Sequence, residues 1–174
     1  MEEISSDALN LFPACRILLP ASAMDKRAAF YLATEEYIAK YLPSDNYFFT
    51  WKVDNTVVMG RNQNADAEID LDFCRANGID IIRRKSGGGC IFADQQNIML
   101  SFVTGTGAVE SLFHIYAGAL SASLNSIGVN ATVSGRNDIL LDGKKISGSA
   151  FYHLPQRNII HGTLLYDTQS DLMN

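Results

Sequence analysis

The sequence predicts an α/β chain of the α+β type: a mixed, largely antiparallel sheet with helices packed on it. Three observations carry this. Asp142-Gly143, between the apolar run Ile139-Leu140-Leu141 and a returning run from Lys144 to Ala150, signals a type I′ hairpin. Apolar residues recur at helical spacing in Leu112, Phe113, Tyr116, Leu120, Leu124 and Ile127. Strand-like runs also follow one another through short connections, whereas a doubly wound parallel sheet needs a helix between successive strands.

The elements follow in order. Ser22 is placed to cap a helix running to about Leu42, where Pro43 stops it. Tyr47–Lys52 and Thr56–Met59 read as two strands around an Asp54-Asn55 turn. A helix from about Leu71 ends at Asn77-Gly78, a good C-terminal stop. Strands are expected at Ile79–Arg84, Cys90–Phe92 and Ile98–Val103. The long helix comes next, then a strand near Val129–Val133, the Asp142-Gly143 hairpin and a strand at Ile160–Tyr166. The chain reads as one domain, 1–174, with residues 1–20 as a mobile N-terminal extension on which Leu9, Leu11 and Phe12 can dock.

Composition narrows the function. The hydrophobic fraction of 47% and charged fraction of 19% are ordinary for a globular domain. A net charge of −5 argues against a general nucleic-acid binder. Three cysteines, Cys15, Cys74 and Cys90, lack metal-ligand spacing and fit a reducing compartment. The acidic start Met1-Glu2-Glu3 does not resemble a signal peptide. The uncharged span from Ser111 to Gly135 carries too many Ser, Asn and Gly residues for a membrane segment. A cytoplasmic setting is expected.

The segment Arg83-Arg84-Lys85-Ser86-Gly87-Gly88-Gly89-Cys90-Ile91-Phe92 concentrates the chemistry. Glycines allow close backbone approach, and adjacent cations with backbone donors suit an anion, most often a phosphate. By itself the segment fits either an anion site or a glycine-rich hairpin with solvated basic flanks. Downstream stand Gly135-Arg136-Asn137-Asp138, Lys144-Lys145-Ile146-Ser147-Gly148-Ser149-Ala150 and His161-Gly162-Thr163-Leu164-Leu165.

In this order, and with Gly60-Arg61-Asn62-Gln63-Asn64 as a substrate-side loop, the segments resemble the lipoate–protein ligase A family over roughly residues 25 to 174. The resemblance implies the biotin/lipoate ligase catalytic-domain fold. It implies an ATP-dependent reaction in which lipoate and MgATP form lipoyl-adenylate and pyrophosphate. The acyl group then passes to a lysine of a lipoyl domain of a 2-oxo-acid dehydrogenase complex, or of the glycine-cleavage H protein. ATP, Mg²⁺ and lipoate are thus substrates, no tightly bound prosthetic group is expected, and neither nucleic acid nor membrane is a partner.

Carried over residue by residue, the resemblance assigns ATP contacts to Arg84, Gly87, Gly88, Gly89, Cys90, Ile91, Phe92 and Asn97. Lys145 is the catalytic candidate, touching both lipoate and phosphate, while Lys144 faces the other way. Gly148 and Ala150 keep the wall beside Lys145 low, and Arg61, Trp51 and His161 complete the lipoate side, with Met59 and Phe49 as further lining candidates. Asp138 either helps hold Mg²⁺ or caps a turn. Ala93 and Ile160 stand where the family often has histidine, so a structural, hydrogen-bonded role is expected for His161.

Two alternatives remain. An octanoyltransferase of the same superfamily would need a thiolate shortly before the lysine strand, and Gly135 to Asp138 contains no cysteine. Relative to the family the chain also looks C-terminally truncated. It would then be a lipoate-binding fragment without transfer activity.

Overall fold

Among the described residues ten strands divide into two sheets, and the candidate site lies between those sheets. The structure is a computed structural model that describes residues 15–18, 26–135 and 137–167. The expectations placed on Ser22, on Leu9, Leu11 and Phe12, and on Arg136 lie outside the described residues.

The larger sheet has the order β1-β2-β6-β10-β9-β8-β7. Its strands are β1 (Cys15–Ile17), β2 (Asn46–Trp51), β6 (Asn97–Thr104), β7 (Ala131–Ser134), β8 (Asp138–Leu141), β9 (Lys144–Leu154) and β10 (Arg157–Leu165). All its pairings are antiparallel except β1 with β2. Cys15–Ile17 thus belong to the sheet, although they fall within the stretch expected as an N-terminal extension. The smaller sheet has the order β4-β3-β5, from β3 (Thr56–Met59), β4 (Asp80–Arg83) and β5 (Ile91–Ala93).

Tyr47–Lys52 and Thr56–Met59 are both strands, but they do not form a hairpin. β2 pairs with β6, while β3 is flanked by β4 and β5. A strand with neighbours on both edges has no free ladder for a third. Val53, 2% exposed, is buried at the crossing between the sheets. The Asp142-Gly143 hairpin forms as expected, with φ of 51° and 75°, both positive as type I′ requires. β9 continues beyond Ala150 to Leu154 and returns through Pro155-Gln156.

Helix α1 (Ala28–Tyr41) has Arg27 as its N-cap, without a side-chain capping bond. Its buried stripe is Ala28, Tyr31, Glu35 and Ile38. It packs on one face of the large sheet with Tyr47, Phe49, Trp51, Met99, Val103 and Ile159. The short helices α2 (Ala65–Glu68) and α3 (Leu71–Ala76) follow β3, and Asp70 caps α3 by accepting from the Phe73 amide at 2.9 Å. Helix α4 (Val109–Ser126) covers the opposite face, where Leu112, Phe113 and Tyr116 meet Leu100, Phe102 and Ile160. Ile127, expected on that buried stripe, is 74% exposed because the helix ends before it.

Candidate active site

Strand register places the site residues in rows. Trp51, Met99, Thr163, Gly148 and Asp138 lie side by side across five strands. Two residues along, Phe49, Ser101, His161 and Ala150 form the next row. Side chains two apart on a strand share a face, so both rows point towards the small sheet and α1.

Lys145 joins that face through a β-bulge. Simple alternation would put Lys145 and Gly148 on opposite faces. In the structure Ile139 pairs with Ser147 but Leu140 pairs with Lys145, leaving Ile146 as an extra residue. Beyond the bulge Lys145 shares the face of Gly148 and Asp138, and Lys144, opposite Leu141, points the other way and is exposed. The Lys145 Nζ meets Asp138 Oδ1 at 2.8 Å, with the lysine side chain 55% exposed. This pair is too open to add much stability; it aims the ammonium.

The glycine loop is shaped by topology. β4 runs parallel to β3 and β5 antiparallel to it, on opposite edges. The connection 84–90 therefore wraps around the end of β3, and Gly60 lies against it: a Cβ there would stand 1.9 Å from the Gly88 carbonyl oxygen. Of the three consecutive glycines only Gly88 has positive φ, at 89°. Arg84, 6% exposed, sits inside the loop. It donates to the carbonyls of Val58 (2.8 Å), Gly87 (2.7 Å) and Gly89 (2.8 Å), and to Ser86 Oγ (3.0 Å). Burial lowers its pKa from the ordinary value, yet a guanidinium stays charged. Arg83 similarly donates to the carbonyls of Gly60, Arg61 and Gln63. Both arginines thus hold loop backbone in place.

A chain of buried side chains backs this loop. Ser86 Oγ lies 2.6 Å from His161 Nε2, and His161 Nδ1 lies 2.9 Å from Glu35 Oε2. Ser101 donates to Glu35 Oε1 at 2.5 Å and accepts from Trp51 Nε1 at 2.9 Å. Glu35, Ser86, Ser101 and His161 are all under 9% exposed. His161 is therefore hydrogen-bonded on both nitrogens. The resemblance assigned no role to Glu35. One signal was available: Glu35 falls on the buried stripe of α1, where a charge needs a partner.

Two cavities meet here. The larger, about 550 Å³, lies between α3, β5 and β10, with Ile69, Phe73, Cys74 and Phe92 in its walls. The smaller, about 270 Å³, is lined by Trp51, Met99, Asn137, Ala150 and His161 and roofed by Arg84, Gly88 and Gly89. Cys90, Ile91, Lys145, Gly148 and Thr163 line both. The structure thus brings together most of the residues the sequence singled out. Gly87, Asn97, Arg61 and Asp138 line neither cavity. Asn97 is fully buried and donates to Phe92 O and Asp94 Oδ1, while Arg61 is exposed and its amide donates to Ser86 O at 2.9 Å. Phe49 and Met59 are core residues lining neither. Among the described residues no group of three or more His, Cys, Asp or Glu side chains could hold a metal; Asp138 offers a single carboxylate beside Lys145.

The chain belongs to the lipoyl protein ligase A/B catalytic domain family, whose model matches residues 27–174. It is 39% identical over 142 residues to the lipoate-protein ligase LplJ of Bacillus subtilis, covering 80% of this chain but 43% of LplJ. The chain thus spans less than half the length of that relative. The T. acidophilum protein Ta0514 with bound lipoic acid superimposes with a TM-score of 0.80 at 26% identity, over 90% of this chain and 70% of that one. A lipoate-protein ligase A bound with ATP gives 0.81 at 26% identity, over 90% and 68%. These matches agree with the mixed, largely antiparallel α+β fold expected from the sequence. Among the described residues no helix is long and apolar enough to cross a membrane.

Proposed function

We propose that this chain carries the adenylate-forming site of an ATP-dependent lipoate–protein ligase. One observation carries the reading: two cavities share a wall at Lys145 and Gly148 under the glycine loop. The smaller, closed by Trp51 and Met99, suits the apolar lipoyl chain. The larger, beside Ile91 and Phe92, suits the nucleotide. Related proteins with bound lipoic acid and with bound ATP support a site on this fold that takes both ligands.

Adenylation joins a carboxylate to an α-phosphate, so two anions must approach. Lys145 stands where both would meet, and its ammonium offsets their repulsion as the new bond forms and pyrophosphate leaves. The glycine loop presents backbone donors to the phosphates, held in shape by Arg84. Mg²⁺ enters with ATP as part of the substrate. It takes few protein ligands and prefers carboxylate oxygen; Asp138, paired with Lys145 at 2.8 Å, is the candidate ligand. In the second step a lysine amine of a lipoyl domain, or of the glycine-cleavage H protein, attacks the acyl carbon and AMP departs. Cys90 lines both cavities, but burial foremost raises its thiol pKa, which favours ligase over thiolate-dependent transferase. A cytoplasmic setting fits three free thiols.

The test incubates the purified chain with lipoate and MgATP, following pyrophosphate release and, in parallel, modification of a lipoyl domain. Pyrophosphate release that depends on lipoate is the expected result. Release that ignores lipoate, or acyl transfer from an acyl-carrier protein without ATP, would count against the reading.

A further inference from the structure

The hydrogen bonds around Glu35 have a fixed direction. An ionised carboxylate only accepts, so His161 Nδ1, 2.9 Å from Glu35 Oε2, carries the proton of a neutral ring. Nε2 of that ring then accepts the hydroxyl hydrogen of Ser86, whose Oγ lies 2.6 Å away. The lone pairs of Ser86 Oγ are left to accept from Arg84 Nε at 3.0 Å. From the other side Trp51 Nε1 donates to Ser101 Oγ, whose hydrogen goes to Glu35 Oε1. Two donor chains converge on one buried carboxylate, one from the glycine loop and one from the wall of the smaller cavity.

We propose that Glu35 is a positioning residue for the glycine loop, acting through His161 and Ser86. Its carboxylate selects the Nδ1–H form of His161, which leaves Nε2 to accept from Ser86. Ser86 so oriented accepts from Arg84, and Arg84 in turn gathers the carbonyls of Gly87 and Gly89. The loop therefore reaches its ligand-ready shape before any ligand arrives, which removes an ordering cost from binding. A residue of α1, outside every motif of the sequence, would thus control the order of the loop. That the loop serves a nucleotide rests on the function proposed above; that Glu35 orders it does not.

Three variants separate this role from packing or charge. Glu35→Leu fills the space without an acceptor. Glu35→Gln removes the charge but keeps one oxygen for His161 Nδ1–H, with its amide donating to Ser101 Oγ. Ser86→Ala cuts the chain between His161 and the loop. Nitrogen-15 spectra of the unliganded full chain report the His161 tautomer and the order of the Gly87, Gly88 and Gly89 amides. Glu35→Leu should lose the Nδ1–H signature, and those amides should fall from an order parameter of about 0.85 to below about 0.6. Glu35→Gln should retain both. Ser86→Ala should keep the tautomer and loosen the loop, which decides the matter if Glu35→Leu does not fold. A wild-type loop in Glu35→Leu or Ser86→Ala, or a Glu35→Gln protein as loose as Glu35→Leu, would overturn the proposal. Where ligase activity is measurable, Ser86→Ala should raise the KM for ATP about 10-fold through misplacement of the loop. The spectra need no substrate, so a failure of the ligase reading leaves this test standing.

Discussion

The ammonium nitrogen of Lys145 lies 2.9 Å from the point where a Cβ on Gly148 would stand, and its Cε lies 2.8 Å away. The lysine head rests on bare backbone. Gly148→Ala should therefore spare the fold, because the end of a flexible side chain can move aside, but displace the charge from the junction of the two cavities. Adenylate formation should fall by about 10-fold or more from that displacement, with the melting temperature nearly unchanged. Lys145→Ala should cost about 10²–10³-fold, as for one preorganised charge stabiliser. Lys144→Ala should be nearly silent. Pyrophosphate release and thermal melts together check all three, and equal losses at positions 144 and 145 would refute the assignment.

The contact of Gly60 with the Gly88 carbonyl predicts a different kind of damage. A methyl at position 60 would collide with backbone that cannot swing away. Gly60→Ala should destabilise the protein by about 1–3 kcal/mol, the range for forced overpacking. Gly87→Ala, where a Cβ meets nothing within 4 Å, should leave stability unchanged. Gly88→Val combines positive φ with a clash 2.9 Å from Arg84 Nη2 and should weaken ATP binding. Urea midpoints and nucleotide titration distinguish these outcomes.

Burial, aided by Glu68, pushes the Cys90 thiol above its ordinary range, against the weaker pull of Arg84 and Arg83. At neutral pH it stays protonated and is a poor nucleophile. Alkylation by iodoacetamide at pH 7 should be slower than for a free thiol and quicken as pH rises. Cys90→Ala should retain ATP-dependent lipoylation. An acyl-thioester isolated on Cys90 would favour the transferase.

Arg27 holds Asp80 with two hydrogen bonds, at 2.8 and 2.7 Å, and this pairing lowers the Asp80 pKa from its ordinary value. A depressed carboxylate pKa contributes stability that is present above the unfolded value and is lost as pH falls through the folded one. Arg27→Gln should therefore reduce stability modestly at pH 7 and flatten its decline below about pH 4, the unfolded carboxylate range. Chemical denaturation at a series of pH values checks this. A variant whose loss is the same at pH 7 and pH 2 would show that Arg27 contributes by packing alone.

Local chemistry determined much of this protein. Asp142-Gly143 admits the positive φ values of a type I′ turn, so the β8–β9 hairpin was legible in two residues. The stripe Leu112, Phe113 and Tyr116 announced a buried helix, and the glycine segment announced close backbone approach. Three features depended on tertiary structure. β2 and β3 are neighbours in sequence, but they separate into different sheets because β4 and β5 occupy both edges of β3. Lys145 shares a face with Gly148 because Ile146 bulges against β8, a register no alternation pattern in β9 alone encodes. Glu35 meets His161 across 126 positions of chain. That contact depends on α1 docking over the sheet, where burial leaves the carboxylate no water and obliges it to find donors.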